Sequence, residues 1–181
     1  MLKTWELRKS EQIFKCNIFN ILQKFYKKPE GQGDATAFII DCPDWVNVIG
    51  IDDKNNVLLI RQFRYGTDSI ELEIPGGILE PGELPKEGAI RELKEETGYD
   101  VKEIEQIGFV NANPAIMNNK CYTFLAKLSR NRGQVNFDPD EIIEMEFATP
   151  KQVKKYLVEN KITNAYVVLA FLWFYLYNDF E

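Results

Sequence analysis

The sequence predicts an α+β fold, and three observations carry that prediction. Short runs rich in β-branched and aromatic residues fill the first two-fifths of the chain, separated by Gly, Pro and Asx turns. Helical patterns come later, inserted after strands rather than alternating with them, which favours α+β over a βαβ repeat. An apolar fraction of 45% in 181 residues suits a globular chain with one core.

Taken in order, residues 1–26 carry Trp5, Leu7, Ile13, Phe14, Ile18, Phe19, Ile21 and Phe25 in partial alternation and read as strands; a helix over 11–25 is the competing reading. Residues 27–34, with Pro29, Gly31 and Gly33, form a turn. Residues 36–41 and 46–52 read as strands, and the Asp53-Lys-Asn-Asn56 turn leads into a hairpin partner over 57–63. Another strand, 70–74, feeds a Gly-rich loop. The helix that follows runs from Pro85, suited to a first helical position, to Thr97, with Gly98 suited to terminate it. Gly88 stands mid-helix, where alanine would be worth up to about 1 kcal/mol more by propensity alone. Residues 104–110 and 120–128 pair around a loop over 111–119, a polar loop covers 129–140, and 142–147 is a further strand. Thr149-Pro150 opens a helix with Val153, Tyr156 and Leu157 on one face. The final helix, 164–177, is apolar almost all round and is expected to pack on two sides.

Composition narrows the chemistry. The net charge is −6 without a basic run, which argues against a phosphate-backbone grip on nucleic acid. There is no histidine, so a histidine base, a Ser-His triad and a His-ligated zinc are excluded. Cys16, Cys42 and Cys121 lack metal-ligand spacing and read as reduced thiols, which points to the cytoplasm. The N-terminus reads as no signal peptide, and the stretch 165–177 is too short for a membrane span.

The chemistry concentrates in GGILEPGELPKEGAIRELKEETGY, residues 76–99. On a helix, Glu92 and Glu96 lie roughly 40° apart, with Glu95 roughly 60° to the other side of Glu92. Like charges so placed repel, whereas Mg²⁺ takes a few carboxylates together with substrate phosphate oxygens. A solvated acidic helix face is the plain alternative for three glutamates alone. The spacing of Gly77, Glu83, Arg91, Glu92, Glu95, Glu96 and Gly98 fits the long pattern G-x5-E-x7-R-E-U-x-E-E-x-G-U, with Leu93 in the first apolar slot. Tyr99 departs from it, being aromatic where an aliphatic residue is expected.

In this pattern the chain resembles the Nudix hydrolases, whose fold is an α/β/α sandwich around a mixed β-sheet. The runs VLLIRQFRYG and ELEIPGG, Pro114 and the segment NKITNAYVVLAFLWF resemble the branch of ADP-ribose pyrophosphatases and nucleoside-diphosphate-sugar hydrolases. The resemblance implies a Nudix domain over 45–181, preceded by a β-strand module over 1–44 that serves dimerisation and the substrate site. It also implies a homodimer with neither a nucleic-acid nor a membrane partner.

The resemblance further implies roles for single residues. Glu92, Glu95, Glu96 and the carbonyl of Gly76 match metal ligands for Mg²⁺, with Mn²⁺ as a possible substitute. Arg91 matches the arginine that orients these carboxylates, and Glu83 a supporting glutamate. Arg64 and Glu73 match substrate contacts, with a solvent-facing strand residue as the alternative for Glu73; Arg61 stays open between the two roles. Pro114 and Asn118 lie in a substrate-side loop, although asparagines there also suit a plain turn. Trp5, and less so Trp45, are candidates to stack a nucleobase, with core or interface packing as the alternative. Glu141 matches the mobile catalytic glutamate before the last strand, with Asp140 and Glu144 as competitors.

The expected reaction is Mg²⁺-dependent hydrolysis of the diphosphate in ADP-ribose or related nucleoside diphosphate sugars such as GDP-mannose. The products are a nucleoside monophosphate and a sugar phosphate. Alternatives are a nucleoside triphosphate or dinucleoside polyphosphate pyrophosphohydrolase and, without catalysis, an ADP-ribose sensor.

Overall fold

A computed structural model describes residues 2–136 and 142–178. The chain divides into two compact units, Met1–Asp44 with Asn111–Lys120, and Trp45–Val110 with Cys121–Glu181.

The first unit is a three-stranded antiparallel sheet of β1 (Glu6–Lys15), β2 (Asn20–Lys27) and β3 (Asp34–Asp41), in that order. Residues 11–25 are therefore two strands joined by a turn over 16–19, not a helix. The β-branched and aromatic content outweighs the partial helical spacing because each strand satisfies its backbone on a neighbour. The loop 111–120 belongs to this unit and is tied to the end of β3. Asn118 Nδ2 donates to Asp41 Oδ1 at 2.5 Å, Asn119 Nδ2 to the Pro43 carbonyl at 3.1 Å, and the Lys120 N–H to Asp44 Oδ1 at 2.7 Å.

The second unit is a mixed sheet between helices. Its strands are β4 (Trp45–Ile51), β5 (Val57–Arg64), β6 (Ser69–Glu73), β7 (Gly76–Ile78), β8 (Tyr99–Asn111), β9 (Lys120–Arg132) and β10 (Glu144–Ala148). They run β10-β5-β4-β9-β8, with β6 on β5 and β7 on β4. β4 and β9 are parallel, whereas β4–β7, β5–β6 and β5–β10 are antiparallel. Alternation along the central strands sends side chains to two cores. Val46, Val48, Leu58, Phe124 and Ala126 pack with Ala89 and Leu93 of α1 (Pro85–Thr97). Ile49, Val57, Leu59 and Leu125 pack with Val153 of α2 (Pro150–Val158) and with Val167, Ala170, Phe171 and Phe174 of α3 (Ala165–Asn178). This is the α/β/α sandwich around a mixed sheet. Thr149 caps α2 reciprocally: the Gln152 N–H donates to Thr149 Oγ1 at 3.2 Å and the Thr149 N–H to Gln152 Oε1 at 2.8 Å.

Three expectations change. The Gly-rich loop begins as strand β7, because Gly76 has no side chain to hold its backbone off Val46 and Asn47 of β4. β9 runs on through Arg132, so the polar loop starts later than residue 129; charged residues at a strand end keep their side chains in water and still join the ladder. α3 packs on one side only: Val168, Leu172 and Leu176, four residues apart, are exposed. A helix in the outer layer has one sheet to cover it, and apolar residues beyond that stripe stay on the surface.

Gly88 also reads differently in place. A Cβ there would collide with Leu79 Cδ2 and crowd Glu83 Oε2, so the helix position is kept small by its neighbours. Gly88→Ala is expected to lower stability by about 1–3 kcal/mol, overpacking outweighing the propensity gain. A urea midpoint at or above wild type would show that Leu79 yields freely.

Candidate active site

The loop from β7 into α1 brings the box residues together, and two glycines make that possible. A Cβ on Gly76 would run into the Val46 carbonyl, and one on Gly77 would lie 2.5 Å from the Glu92 carboxylate. The backbone therefore lies directly against the acidic helix face. From there the Gly76 N–H donates to Glu96 Oε2 at 3.1 Å. Glu96 is only 3% exposed, and a buried carboxylate needs such donors to offset its lost hydration. At the other end, Gly98 closes α1 in the left-handed region at φ 73°, its N–H on the Lys94 carbonyl.

Arg91 organises the remaining carboxylates. Its Nε and Nη2 donate to the two oxygens of Glu83, each at 2.9 Å. Nη1 donates to Glu92 Oε1 at 2.8 Å and to Glu95 Oε2 at 3.1 Å, and Nη2 also reaches the Ile78 carbonyl at 3.0 Å. Glu83 is thus no loose surface residue; it also accepts the Glu80 N–H at 2.9 Å. The Arg91 bonds, with the Glu80 amide, hold the Glu83 carboxyl below its ordinary value against the opposing effect of burial. The arginine is raised in turn, chiefly by Glu83 and then by Glu92 and Glu95, and carries its charge at every accessible pH.

The donor set fits a hard divalent cation. Glu92, Glu95 and Glu96 bring carboxylate oxygens to one side of the helix, and the bare Cα of Gly77 leaves room for the Glu92 carboxylate itself. Among the described residues no three acidic or thiol side chains already stand in ligating geometry. Arg91 holds Glu92 and Glu95, and the Gly76 amide holds Glu96, so the carboxylates are kept in place by hydrogen bonds.

A second constellation forms at the ends of β5 and β6. Arg64 Nη2 donates to Glu73 Oε2 at 2.5 Å, and its Nε lies 3.2 Å from both oxygens. Glu73 is 2% exposed, which sets aside the solvent-facing alternative for it. Arg64 keeps 41% of its side-chain surface and lines a recess of about 460 Å³ with Arg61, Tyr65, Ile70, Ile142 and Glu144. Arg61 is paired with Glu146 across β5 and β10 at 2.9 Å. In the first unit Trp5 is half exposed with Lys28 Nζ 5.6 Å over its ring, and Pro114 and Asn118 are exposed. Trp45 packs edge-on to Tyr166, 5.1 Å between centroids. Glu141 and Asp140 lie outside the described residues; their competitor Glu144 is exposed at the start of β10.

Sequence reasoning missed two members of this constellation. Gln62 donates to Glu73 Oε2 at 3.4 Å, and Asn164 donates to Glu73 Oε1 at 3.0 Å. An asparagine just before an apolar helix carries a capping signal, and that signal gives no hint of a partner on a distant strand. Cys16, Cys42 and Cys121 are all free thiols, and among the described residues no helix is long and apolar enough to cross a membrane.

Fold, glycine loop and acidic helix together define a family. Residues 43–169 match the NUDIX domain, and the chain belongs to that family. It is a pyrophosphohydrolase of the Nudix class, a class that generally uses divalent metals. The chain is similar to the methanol dehydrogenase activator of Bacillus methanolicus, 31% identical over 163 residues covering 90% of this chain and 88% of the relative. It is 30% identical over 161 residues to the ADP-ribose pyrophosphatase of Bacillus subtilis (strain 168), covering 88% and 86%. A crystal structure of an ADP compounds hydrolase superposes with a TM-score of 0.87 at 21% identity, over 99% of this chain and 96% of that one, a likeness of fold.

The Glu83–Arg91 pair makes stability depend on pH. Because the folded carboxyl titrates below its ordinary 4.5, the stabilisation is complete above that value and is lost as pH falls through the folded one. Glu83→Gln should cost about 1–3 kcal/mol at neutral pH. Urea unfolding in EDTA should show the gap between wild type and variant narrowing from about pH 7 to about pH 3. A gap that does not change with pH would remove the ion pair as its source.

Proposed function

We propose that this protein hydrolyses the diphosphate bond of nucleoside diphosphate sugars, with ADP-ribose as the leading substrate, to a nucleoside monophosphate and a sugar phosphate. The observation that carries the reading is the acidic face of α1, held against a glycine backbone and steadied by Arg91. The relative named an ADP-ribose pyrophosphatase, aligned over most of both chains, supports the choice of substrate.

In this reading Glu92, Glu95, Glu96 and the Gly76 carbonyl hold Mg²⁺, or Mn²⁺ in its place. The ion supplies positive charge against the anionic diphosphate and lowers the pKa of water. Arg91 keeps Glu92 and Glu95 from swinging away from the acidic helix face. Arg64 presents a planar, permanently charged fork to a phosphate or ribose oxygen. Glu141 takes the proton of the attacking water or orients it in line with the scissile bond. Trp5 stacks the nucleobase, and Pro114 and Asn118 border the substrate.

The reading includes a cytoplasmic homodimer built through the strand module 1–44. Exposed Phe14 and Phe38, which share one face of the first unit's sheet through Ile21 and Gln23 of β2, support this, because apolar surface gathered on one face suits an interface. The relative named an activator keeps one other outcome in view: tight ADP-ribose binding without hydrolysis in Mg²⁺ would favour a sensor.

Glu96→Gln is expected to reduce turnover by at least about 10²-fold while leaving the free energy of urea unfolding within about 1 kcal/mol of wild type. Near-normal Mg²⁺-dependent turnover in that variant would remove Glu96 from the site. A panel of ADP-ribose, GDP-mannose, 8-oxo-dGTP and diadenosine polyphosphates, read by released phosphorylated products, should show ADP-ribose with the highest kcat/KM. Preference for a triphosphate or a dinucleoside polyphosphate would overturn the substrate assignment.

A further inference from the structure

The turn before α3 grips β6 at two alternate residues. Thr163 Oγ1 donates to Glu71 Oε2 at 2.8 Å, and Asn164 Nδ2 donates to Glu73 Oε1 at 3.0 Å. Residues two apart on a strand share a face, so one short turn holds one side of β6. Asn164 is engaged at every polar group that this turn uses. Its Oδ1 accepts the Tyr166 N–H at 3.0 Å and its carbonyl accepts the Val168 N–H at 2.9 Å, which starts the helix. The spare amide hydrogens are what reach the strand.

Glu73 needs that donor. Its carboxylate is buried, and its oxygens are shared between Arg64, Gln62 and Asn164. Arg64 and Gln62 approach from β5, whereas Asn164 approaches from the start of α3. A carboxylate held only from the β5 side can turn about its last bond; a donor from a second element fixes the plane. That plane sets where the Arg64 guanidinium points, because the arginine fork follows the carboxylate it pairs with.

We propose that Asn164 is a positioning residue for substrate binding, acting through Glu73 to aim Arg64. This rests on the reading that Arg64 contacts the substrate. The α3 helix thereby reaches the substrate side of the sheet through two side chains, without touching substrate itself. Arg64 makes its contact alike in ground and transition states, so the loss falls on KM rather than kcat.

The test uses Asn164→Ser, since serine caps a helix about as well as asparagine but is too short to reach Glu73. With ADP-ribose and Mg²⁺, the variant should raise KM about tenfold, hold kcat within about twofold and keep the thermal midpoint close to wild type. In an Arg64→Ala background the same substitution should change KM no further. A normal KM in Asn164→Ser alongside a raised KM in Arg64→Ala overturns the positioning role and leaves the substrate contact standing. Equal penalties from Asn164→Ser in both backgrounds overturn it too, because Asn164 would then act independently of Arg64. A normal KM in Arg64→Ala removes the reading beneath the proposal, and the proposal with it.

Discussion

Glu83, Glu92 and Glu95 would repel one another, and Arg91 is the group that lets them coexist. A guanidinium has five N–H donors, and here each has an acceptor: two on Glu83, one each on Glu92 and Glu95, and one on the Ile78 carbonyl. A lysine at this position would be a single point charge and could not bridge a loop glutamate, two helix glutamates and a strand carbonyl together. The loop, the helix and β7 are fixed relative to one another by this one side chain.

Glycine provides the complementary constraint. The acidic face of α1 lies close to backbone because Gly77 carries nothing toward Glu92 and Gly76 nothing toward β4, and Gly88 gives Leu79 and Glu83 their space. The cost of three flexible residues in ordered positions is conformational entropy, and what offsets it is proximity. A carboxylate such as Glu96 is buried only because an amide N–H can come within hydrogen-bond reach.

The same logic recurs at the ends of β5 and β6 with different parts. Glu73 is buried and paired with Arg64, and the residue just before α3 completes its partners. In both places an arginine is held by carboxylate, and at Glu73 that carboxylate is held in turn from a second element. Arg91 faces inward to steady other protein groups, whereas Arg64 retains surface in a recess.

The order of strands and helices was legible because alternation, turn residues and helix-ending signals are local properties. The box was legible because its chemistry depends on spacing along one helix, where Glu92, Glu95 and Glu96 stand at fixed angles. What depended on contacts between distant segments was not. Gly88 looked like a poor helix residue until Leu79 was beside it, and α3 looked two-sided until its outer stripe Val168, Leu172 and Leu176 was found exposed. Glu73 could have faced water, since strand periodicity says which residues share a side but not which side another helix covers. Asn164 carried a capping signal and no sign of Glu73, ninety-one positions away. The sequence by itself determined the acidic helix and so the reaction class, because those residues are neighbours along the chain. Only the tertiary structure decided how Arg64 is held, because its supports come from β6 and α3 and meet through folding alone.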